Sequence, residues 1–375
     1  MKILQIGKYY PPDFGGIETV TQLLAEGLNE AGVSCDVLCV SSARETTIDE
    51  YKGYRVIRVG SFGTKFSVSL SPSLILWLWR ICNSYDVIHL HLPNPLAELA
   101  IFIVRPNAKL VLHWHADVDS KKFGILAKLH SPLTRWIIKR ASRVIGATKA
   151  HINCSDHRDI MIRKSVVVPY PFRQSNAHDL SGQSGLDKRM LEDRFIVLAV
   201  GRLIYYKGFS YLIEAAKYLP NKCLVLIVGA GPLAEELQAQ IDSGGLADRV
   251  MLSGKLSEGD LLTCFSVCDV LCFPSTDRGE MFGMVQLEAM AFKKPVIGTR
   301  IPKSGVCEVN LNNVTGLTVP IKDPGAIADA VLKLMDNPSY CDAMGRAGYK
   351  RVKEVYDMSV VIPQFICLFA ECLTT

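Results

Sequence analysis

Two consecutive stretches decide the fold: Val270-Leu271-Cys272-Phe273-Pro274-Ser275 and Glu280-Met281-Phe282-Gly283-Met284-Val285-Gln286-Leu287-Glu288. The first is an apolar run closed by Pro-Ser and predicts a strand, and the second predicts a helix that starts near Phe282. The free backbone N–H groups of such a helix would point at whatever lies above the strand end. Because the carboxylates of Glu280 and Glu288 flank these donors, the stretch suits a ligand with phosphate and hydroxyl groups, such as a nucleotide sugar. An ordinary amphipathic helix with two surface acids is the simpler alternative.

A second strand-turn-helix unit precedes this one in the chain. Residues 195–200 are continuously apolar, which is typical of a strand buried on both faces of a parallel sheet. The strand leads through Gly201 and Arg202 to Lys207 and Gly208, where a helical pattern begins. The planar guanidinium and the compact ammonium would both lie at the carboxyl edge of the sheet, where they suit a diphosphate. Taken alone, the two cations could equally be solvated loop charges.

A third unit has the same order. The apolar residues 224–228 are followed by Gly229 and Gly231, then by helix-forming residues. Glycines at a strand end let a backbone approach a ligand closely. The segment lacks the third glycine of the dinucleotide fingerprint, so no nicotinamide site is predicted.

Length and composition predict a folded α/β protein of two domains. The chain has 375 residues, of which 49% are hydrophobic and 21% are charged. Apolar strand-like runs alternate with helical patterns, which favours parallel sheets. The segment from Gln174 to Lys188 is polar and linker-like, so the boundary is expected between Pro171 and Leu191. Neither a signal peptide nor a transmembrane run is predicted.

The twelve cysteines predict reduced thiols in a reducing compartment rather than disulfides or a metal site. The chain has no Cys-x-x-Cys motif, and most of its cysteines lie inside apolar runs. Cys264, Cys268 and Cys272 are four residues apart, but Cys272 already belongs to the strand before Pro274.

The net charge of +5 comes from the first half of the chain. Between residues 120 and 155, basic residues alternate with apolar ones and no acid occurs. This pattern suits an anionic membrane surface or a lipid-diphosphate acceptor, and a solvated helix face is the alternative. Nucleic acid is not an expected partner, because no known nucleic-acid-binding module is present. The basic residues are Lys121, Lys122, Lys128, Arg135, Lys139, Arg140, Arg143 and Lys149.

Taken in order, these motifs resemble retaining family 4 glycosyltransferases over nearly the whole chain. The carboxyl-terminal half carries the donor-side motifs, including Ser304-Gly305-Val306, and the amino-terminal half carries Gly15-Gly16-Ile17-Glu18 and Asp86-Val87-Ile88-His89-Leu90-His91. The resemblance implies the GT-B fold, an α/β fold in which two Rossmann-like parallel-sheet domains face each other across a deep cleft. It implies an acceptor-binding domain over residues 1–180, a donor-binding domain over 190–354, and a terminal helix, 355–375, that crosses back to the first domain. That helix is expected to break near Pro363.

The resemblance also implies the roles of individual residues. Glu280 would hold a sugar hydroxyl near the anomeric carbon, Glu288 would bind the ribose diol, and Arg202 and Lys207 would hold the diphosphate. His115 follows a strand and would lie near the donor sugar, with His113 as its rival. A metal ion is not expected, because cations and helix N-termini would replace it, and no cofactor is expected. The implied catalytic residues are His115, Glu280, Arg202 and Lys207; the donor-binding residues are Gly16, Gly201, Gly229, Gly231, Phe282, Gly283, Met284, Val285 and Glu288; the acceptor-side residues are Glu18, His113 and Asp117.

The substrates follow from a closer resemblance, carried by His113-Trp114-His115-Ala116-Asp117-Val118 and by Gly305-Val306-x-x-Val309-Asn310. These runs resemble bacterial mannosyltransferases that assemble O-antigen and other surface polysaccharides on lipid carriers. This implies GDP-mannose as donor, a lipid-linked oligosaccharide as acceptor, and a cytoplasmic protein peripheral to the inner face of the cytoplasmic membrane. A UDP-hexose or UDP-N-acetylhexosamine donor is an alternative, and so are a nucleotide-sugar epimerase or hydrolase and a non-catalytic sugar-binding protein. Retention could proceed by same-face attack or through a transient nucleophile. One departure is Lys293, which stands where the family usually has glycine and predicts a changed helix end.

Overall fold

The structure, a computed structural model, describes residues 1–13, 15–65, 68–118, 123–174 and 193–374. It divides into two compact units. Unit 1 comprises Met1–Arg173 together with Val355–Thr375, and unit 2 comprises Gln174–Glu354. The predicted linker, including most of residues 174–188, lies outside the described residues.

Unit 1 is built on a sheet with the strand order β10-β9-β8-β7-β1-β2-β4-β3. All neighbouring strands are parallel except β3, which pairs antiparallel with β4 at the edge. A short hairpin, β5-β6, lies beside it. The strands are β1 (Lys2–Ile6), β2 (Ser34–Val40), β3 (Thr47–Tyr51), β4 (Tyr54–Val59), β5 (Thr64–Lys65), β6 (Val68–Ser69), β7 (Val87–Leu92), β8 (Lys109–Trp114), β9 (Arg143–Gly146) and β10 (Ser165–Val167).

Helices cover both faces of this sheet. The chain moves from β1 to β2 in one direction and from β7 through β8 to β9 in the other, so right-handed crossovers place the connecting helices on opposite faces. Helix α1 packs against the terminal helix α14, while α2, α3 and α4 pack side by side. The helices are α1 (Gly16–Glu30), α2 (Pro72–Ile81), α3 (Pro95–Val104), α4 (Ile125–Arg140), α5 (Lys149–Asn153), α6 (Arg158–Met161) and, numbered after those of unit 2, α14 (Met358–Thr374).

Unit 2 is built on a fully parallel sheet with the strand order β13-β12-β11-β14-β15-β16. Its central strands are continuously buried, as their unbroken apolar sequences predict. The strands are β11 (Phe195–Val200), β12 (Cys223–Val228), β13 (Val250–Gly254), β14 (Val270–Phe273), β15 (Val296–Thr299) and β16 (Gly316–Val319). The helices are α7 (Phe209–Ala215), α8 (Ala234–Ser243), α9 (Glu258–Val267), α10 (Met284–Ala291), α11 (Val306–Val309), α12 (Pro324–Met335) and α13 (Pro338–Arg351).

The strand order of unit 2 reverses between β11 and β14. The chain leaves β11 for β12 on one side and later returns to β14 on the other. In open parallel sheets, ligands bind beyond the carboxyl ends of the strands at such a switch point. The segments that follow β11 and β14 carry Gly201 and the residues from Phe282 to Val285, so the topology brings these predicted donor-binding residues together.

Three local expectations are settled by this structure. Helix α10 starts at Met284 rather than near Phe282, because Gly283 is its N-cap with a φ of 75°. Helix α14 continues through Pro363 instead of breaking there, and Pro363 is exposed, so water can reach the carbonyl left without an N–H partner. Lys293 lies just past α10 with a φ of 58°, the conformation that glycine favours at a helix end.

The cysteines and the apolar segments also have defined places. None of the twelve cysteines forms a disulfide, and Cys272 lies in β14 as expected. The apolar segment around Leu74 forms helix α2, two of whose residues are buried against the sheet. Within the described ranges, no helix combines the length and apolar character needed to span a membrane.

Candidate active site

An ion pair lies at the switch point of unit 2. The Nζ atom of Lys207, in the loop after β11, is 2.5 Å from Oε2 of Glu280, in the loop after β14. Both side chains are largely buried, and the ammonium also lies over the ring of Phe273 at 5.5 Å. The Oγ atom of Ser275 donates to the same carboxylate oxygen at 3.4 Å. Two of the predicted catalytic residues are therefore in direct contact.

The backbone around Glu280 is fixed by neighbouring loops. Ser304 donates its Oγ–H to the backbone carbonyl of Glu280 at 2.6 Å, and the N–H of Gly305 donates to the carbonyl of Met281 at 3.0 Å. On the other side, the hydroxyl of Thr299 donates to the carbonyl of Ser275. The carboxylate thus projects from a loop tied to β15 and to the segment before α11.

The amino-terminal end of α10 lies directly after Glu280. Gly283 needs its left-handed conformation, and a Cβ there would come within 2.5 Å of the Phe273 ring. The Nε2 of Gln286 donates to the carbonyl of Phe282 at 2.7 Å and holds the turn before the helix. Met284 and Val285 are the first helical residues, so their N–H groups lack intrahelical partners and can bind an anion.

Glu288 lies one turn into α10 and close enough to Lys207 to feel its charge. Burial raises the pKa of the Glu288 carboxyl to about 7, the charge of Lys207 lowers it, and Glu258 raises it further. The side chain keeps partial contact with solvent. Lys207, Glu280 and Glu288 are thus electrostatically coupled around one site, and Glu288 is only partly ionised near neutral pH.

Arg202 and the predicted glycines complete the strand edge. The Arg202 side chain is exposed, and no residue in the described part of the chain forms an ion pair or hydrogen bond with its guanidinium. Gly229 packs directly on Gly201, whose carbonyl oxygen would lie 1.8 Å from a Cβ at Gly229. Gly231 packs on the backbone of Leu203. The glycines therefore allow the β11 and β12 loops to touch, which is a structural reason for their presence besides ligand binding.

In unit 1, a buried chain of hydrogen bonds crosses three strands. The Oε1 atom of Gln5 on β1 lies 2.8 Å from the Nε2 atom of His91 on β7. Nδ1 of His91 lies 2.9 Å from Nε2 of His115, and Nδ1 of His115 lies 2.5 Å from the hydroxyl of Tyr170. Because the Gln5 oxygen can only accept, His91 donates to it, His115 donates to His91, and Tyr170 donates to His115.

Both ring nitrogens of His115 are therefore engaged within unit 1. Burial lowers the pKa of His91 to about 3 and holds the pKa of His115 well below its usual value, so both rings are neutral at pH 7. A sugar hydroxyl could reach a nitrogen of His115 only by replacing one of these partners.

His113 lies beneath α14, in the core of unit 1. Its ring stacks on His89 and contacts Phe365, and all four ring nitrogens of His89 and His113 are buried without a hydrogen-bond partner among the described residues. The structure gives no support to His113 as an acceptor contact, because solvent does not reach it.

His89, His91 and His113 are close enough together to suggest a metal site, since one nitrogen from each lies within 4.8 Å of the others. The angles between the ring planes are 23° for His89 and His113, 31° for His91 and His113, and 50° for His89 and His91. A metal ion must lie close to the plane of each imidazole that binds it. The stacked rings of His89 and His113 do not meet this condition for one ion, and both nitrogens of His91 are already bonded to Gln5 and His115, so the geometry does not fit a metal centre.

The remaining acceptor-side candidates lie at the edge of unit 1. Asp117, beyond the end of β8, accepts from the Ser155 hydroxyl at 2.6 Å and from the Asp156 N–H. It lines a pocket of about 220 Å³ together with Trp114 and His157. Elsewhere in the unit, α1 begins at the exposed Gly16, and Glu18 lies in its first turn with its carboxylate over Gly15.

The basic stretch differs in part from its sequence-based description. Lys121 and Lys122 lie outside the described residues. Arg135 does face an acid, because its guanidinium is 2.9 Å from the carboxylate of Asp159 on α6. Lys128 and Lys139 are exposed on α4.

Sequence reasoning missed several residues that support the site. Ser304 and Gln286 hold the loops around Glu280 through backbone contacts, and such contacts leave no spacing signature. Gln5, His91 and Tyr170 form the chain to His115. Only the strand alternation that puts His89 and His91 on one face hinted at this cluster.

Two family models match the chain, one on each unit. Residues 14–169 match the model described as Glycosyltransferase Family 4, and residues 187–351 match the model described as Glycosyl transferases group 1. Among curated relatives, the O-antigen chain mannosyltransferase C of Escherichia coli is 29% identical over 374 residues, covering 100% of this chain and 99% of that protein. A D-rhamnosyltransferase of Pseudomonas aeruginosa is 29% identical and covers 95% of this chain and 92% of its own.

Solved structures support the fold. The Anabaena protein HepE in complex with UDP superimposes with a TM-score of 0.79 at 21% identity, covering 99% of this chain and 100% of that one. Sucrose-phosphate synthase from Thermosynechococcus elongatus gives a TM-score of 0.78 at 20% identity, covering 100% and 99%. With both units matched and two Rossmann-like parallel-sheet domains of the GT-B type in place, the chain belongs to family 4 of the glycosyltransferases.

Proposed function

We propose that the protein is a retaining mannosyltransferase that uses GDP-mannose and extends a lipid-diphosphate-linked glycan in bacterial surface-polysaccharide synthesis. The observation that carries the transferase chemistry is the contact between Lys207 and Glu280 at the switch point of unit 2, beside Glu288 and the start of α10. The choice of mannose rests on the sequence resemblance and on the name of the Escherichia coli relative.

In this proposal the donor diphosphate takes the cationic part of the site. The exposed guanidinium of Arg202, the ammonium of Lys207 and the N–H groups of Met284 and Val285 offer donors to phosphate oxygens. The leaving diphosphate gains negative charge as the sugar–phosphate bond breaks, so fixed positive groups stabilise the transition state more than the ground state. This arrangement needs no divalent ion.

The two carboxylates take the hydroxyl groups of the donor. Ionised Glu288 accepts hydrogen bonds from the ribose diol, and Glu280 accepts one from a sugar hydroxyl near the anomeric carbon. Because Glu280 is paired with Lys207 in the absence of ligand, donor binding exchanges part of this ion pair for contacts to phosphate and sugar. The glycines Gly201, Gly229 and Gly231 leave the strand edge free of side chains for the nucleotide.

Transfer breaks the bond between the anomeric carbon and the phosphate oxygen and forms a bond to an acceptor hydroxyl. The hydroxyl proton leaves with the diphosphate when attack occurs on the same face. His115, held in one tautomer by His91 and Tyr170, orients a donor-sugar hydroxyl by exchanging one of these partners. On the family resemblance, Gly16 is assigned to donor binding, and Asp117 and Glu18 to the acceptor side.

The acceptor is proposed to remain in the membrane, with the protein at the inner face of the cytoplasmic membrane. Exposed cations such as Lys128 and Lys139 on α4 favour contact with anionic headgroups. The unpaired thiols agree with a reducing compartment.

The test is a donor panel with mass identification of the product. Purified protein is incubated with GDP-mannose, UDP-glucose and UDP-N-acetylglucosamine, each with a lipid-diphosphate-linked acceptor. We expect transfer of one hexose from GDP-mannose with an α-configured product. Transfer from a UDP sugar alone would overturn the donor assignment, while release of free sugar or an epimerised nucleotide without transfer would overturn the transferase assignment. The double variant Lys207→Met, Glu280→Gln, which removes both charges of the buried ion pair, is the matched inactive control.

A further inference from the structure

The outer sides of helices α2, α3 and α4 form one continuous surface of unit 1. The crossovers that contain these helices all run in the same direction across the sheet, so the helices share one face. α2 packs on α3, and α3 packs on α4, where Phe102 lies edge-to-face on Trp136 at 4.9 Å. Leu74 and Leu78 point inward from α2 to the core.

The side that points away from the sheet is apolar. Trp79 on α2 is 64% exposed, Ile103 on α3 is 54% exposed, and Ile125 and Leu129 on α4 are 72% and 71% exposed. Helices that cover a parallel sheet normally present polar residues to water. Here the exposed positions repeat at helical spacing on each of the three helices. We call these residues the apolar face; its other members are Leu76, Leu99, Phe102 and Leu126.

The exposed charges on the three helices are all positive, and one of them, Arg135, pairs with Asp159 on the neighbouring α6. The only carboxylate on the three helices is Glu98, which is buried and accepts a hydrogen bond from Thr134. Exposed cations stand at the ends and flanks of the helices: Arg80 on α2, Arg105 directly after α3, and Lys128 and Lys139 on α4. A partner for this surface must therefore combine apolar material with negative charge.

A bilayer of anionic phospholipids meets both conditions. A second copy of the chain would set these cations against the same cations, and nucleic acid has no place for exposed leucine and isoleucine side chains. Acyl chains can receive the apolar side chains while anionic headgroups pair with the arginines and lysines. Tryptophan at the rim is favoured at the membrane–water interface.

We propose that the apolar face is a membrane-insertion surface, which enters the headgroup and outer acyl region of an anionic bilayer. This deepens the proposed function, on which it rests for the lipid nature of the acceptor. Helix α4 belongs both to the apolar face and to the pocket beside Asp117. Its His130 and Ser131 line that pocket, while its Ile125 and Leu129 are exposed. A lipid-linked acceptor in the same bilayer would present its headgroup close to that pocket.

The test uses the full chain and phosphatidylcholine vesicles with and without phosphatidylglycerol. The triple variant Ile103→Gln, Ile125→Gln, Leu129→Gln keeps every charge of the surface. We expect the partition coefficient of this variant into phosphatidylglycerol vesicles to fall by about tenfold or more, because glutamine side chains do not favour the acyl region as isoleucine and leucine do. The control Ile48→Gln, Val314→Gln removes two apolar side chains elsewhere, which are 54% and 52% exposed, and should bind as the wild type does.

Depth is read from tryptophan quenching by brominated lipid. Wild-type fluorescence should be quenched, and Trp79→Phe should weaken the quenching, because Trp79 is 64% exposed while Trp114 is buried and Trp77 and Trp136 are partly buried. Melting temperature and nucleotide binding confirm that each variant is folded. Binding of the triple variant equal to that of the wild type, or concentration-dependent dimerisation abolished by the same substitutions, would overturn the proposal. If the wild type binds vesicles but does not bind nucleotide, the proposed function is refuted while the membrane-insertion surface is supported.

Discussion

Glu288 should make donor binding depend on pH close to neutrality. Burial raises the pKa of its carboxyl to about 7, well above the value of 4.5 for a free glutamate. In the proposed complex only the ionised carboxylate accepts both hydrogen bonds from the ribose diol. Protonation therefore competes with the donor, and lowering the pH should weaken binding.

The magnitude follows from the pKa. With a pKa of about 7, roughly nine tenths of Glu288 is ionised at pH 8 and roughly one tenth at pH 6. If only the ionised form binds, affinity should fall about tenfold over this interval, in proportion to the competent fraction. Binding at pH 6.5 should also release a proton. The unliganded protein should lose stability as the pH rises from about 4.5 towards 7, because the fold favours the protonated carboxyl.

The assay is titration calorimetry with GDP-mannose in the absence of acceptor, between pH 6 and pH 8. The diphosphate of a nucleotide sugar is a diester and keeps its charge across this range, so the protein alone supplies the titration. Glu288→Gln should bind weakly at both pH values, with a nearly flat profile. A wild-type affinity that does not change with pH, or a variant that keeps the tenfold slope, would refute the role of Glu288.

Three further outcomes are expected. Arg202→Ala or Lys207→Ala should each lower kcat by ~10²-fold, as for loss of one transition-state charge contact, while Lys333→Ala, which removes an exposed cation on α12, should leave kcat unchanged. Near-wild-type turnover in both variants would exclude the diphosphate clamp. A chelator should leave initial rates unchanged, and inactivation rescued by magnesium or manganese would contradict a site built on cations and helix N–H groups. Lys293→Gly should raise the free energy of unfolding of unit 2 by about 1 kcal/mol in urea, because glycine adopts the left-handed backbone without strain. The gain is reduced by the lost contact between Lys293 and the Tyr349 ring. No gain would show that this backbone carries little strain.

The strand-loop-helix order of unit 2 could be predicted from the sequence, whereas the exact first residue of α10 could not. The apolar run of β14 and the helical spacing after residue 284 are local patterns, so both elements were found. The two-residue difference at Phe282 arises because Phe282 and Gly283 are held by Gln286 and by the Phe273 ring. These contacts are tertiary, and a periodicity does not contain them.

The surroundings of His115 were likewise beyond sequence reasoning. Its position after β8 followed from the His-x-His pattern, but its partners come from β7 and the segment after β10, and its partner His91 is in turn bonded to Gln5 on β1. Residues as far apart as Gln5 and His91 meet only because β1 and β7 are neighbours, and that strand order reflects the whole topology of unit 1. The resemblance implied a role for His115 near the donor sugar. The hydrogen-bond network adds that His115 can bind a sugar hydroxyl only after it gives up His91 or Tyr170.

The ion pair between Lys207 and Glu280 explains how the site can be charged and still fold without its ligand. A buried ammonium or carboxylate alone would cost several kcal/mol of desolvation, and pairing them offsets most of this cost. Ser275 donates to the same carboxylate, and Ser304 anchors its backbone, so the pair is held in place. When a donor binds, its diphosphate can accept hydrogen bonds from the Lys207 ammonium while a sugar hydroxyl donates to the Glu280 carboxylate. Each partner exchanges one strong contact for another, and the site remains organised both empty and occupied. Removing either charge alone should therefore harm folding and turnover together, whereas a neutral pair, Lys207→Met with Glu280→Gln, should recover stability without recovering activity. Recovery of activity in that double variant would show that the pair is structural only.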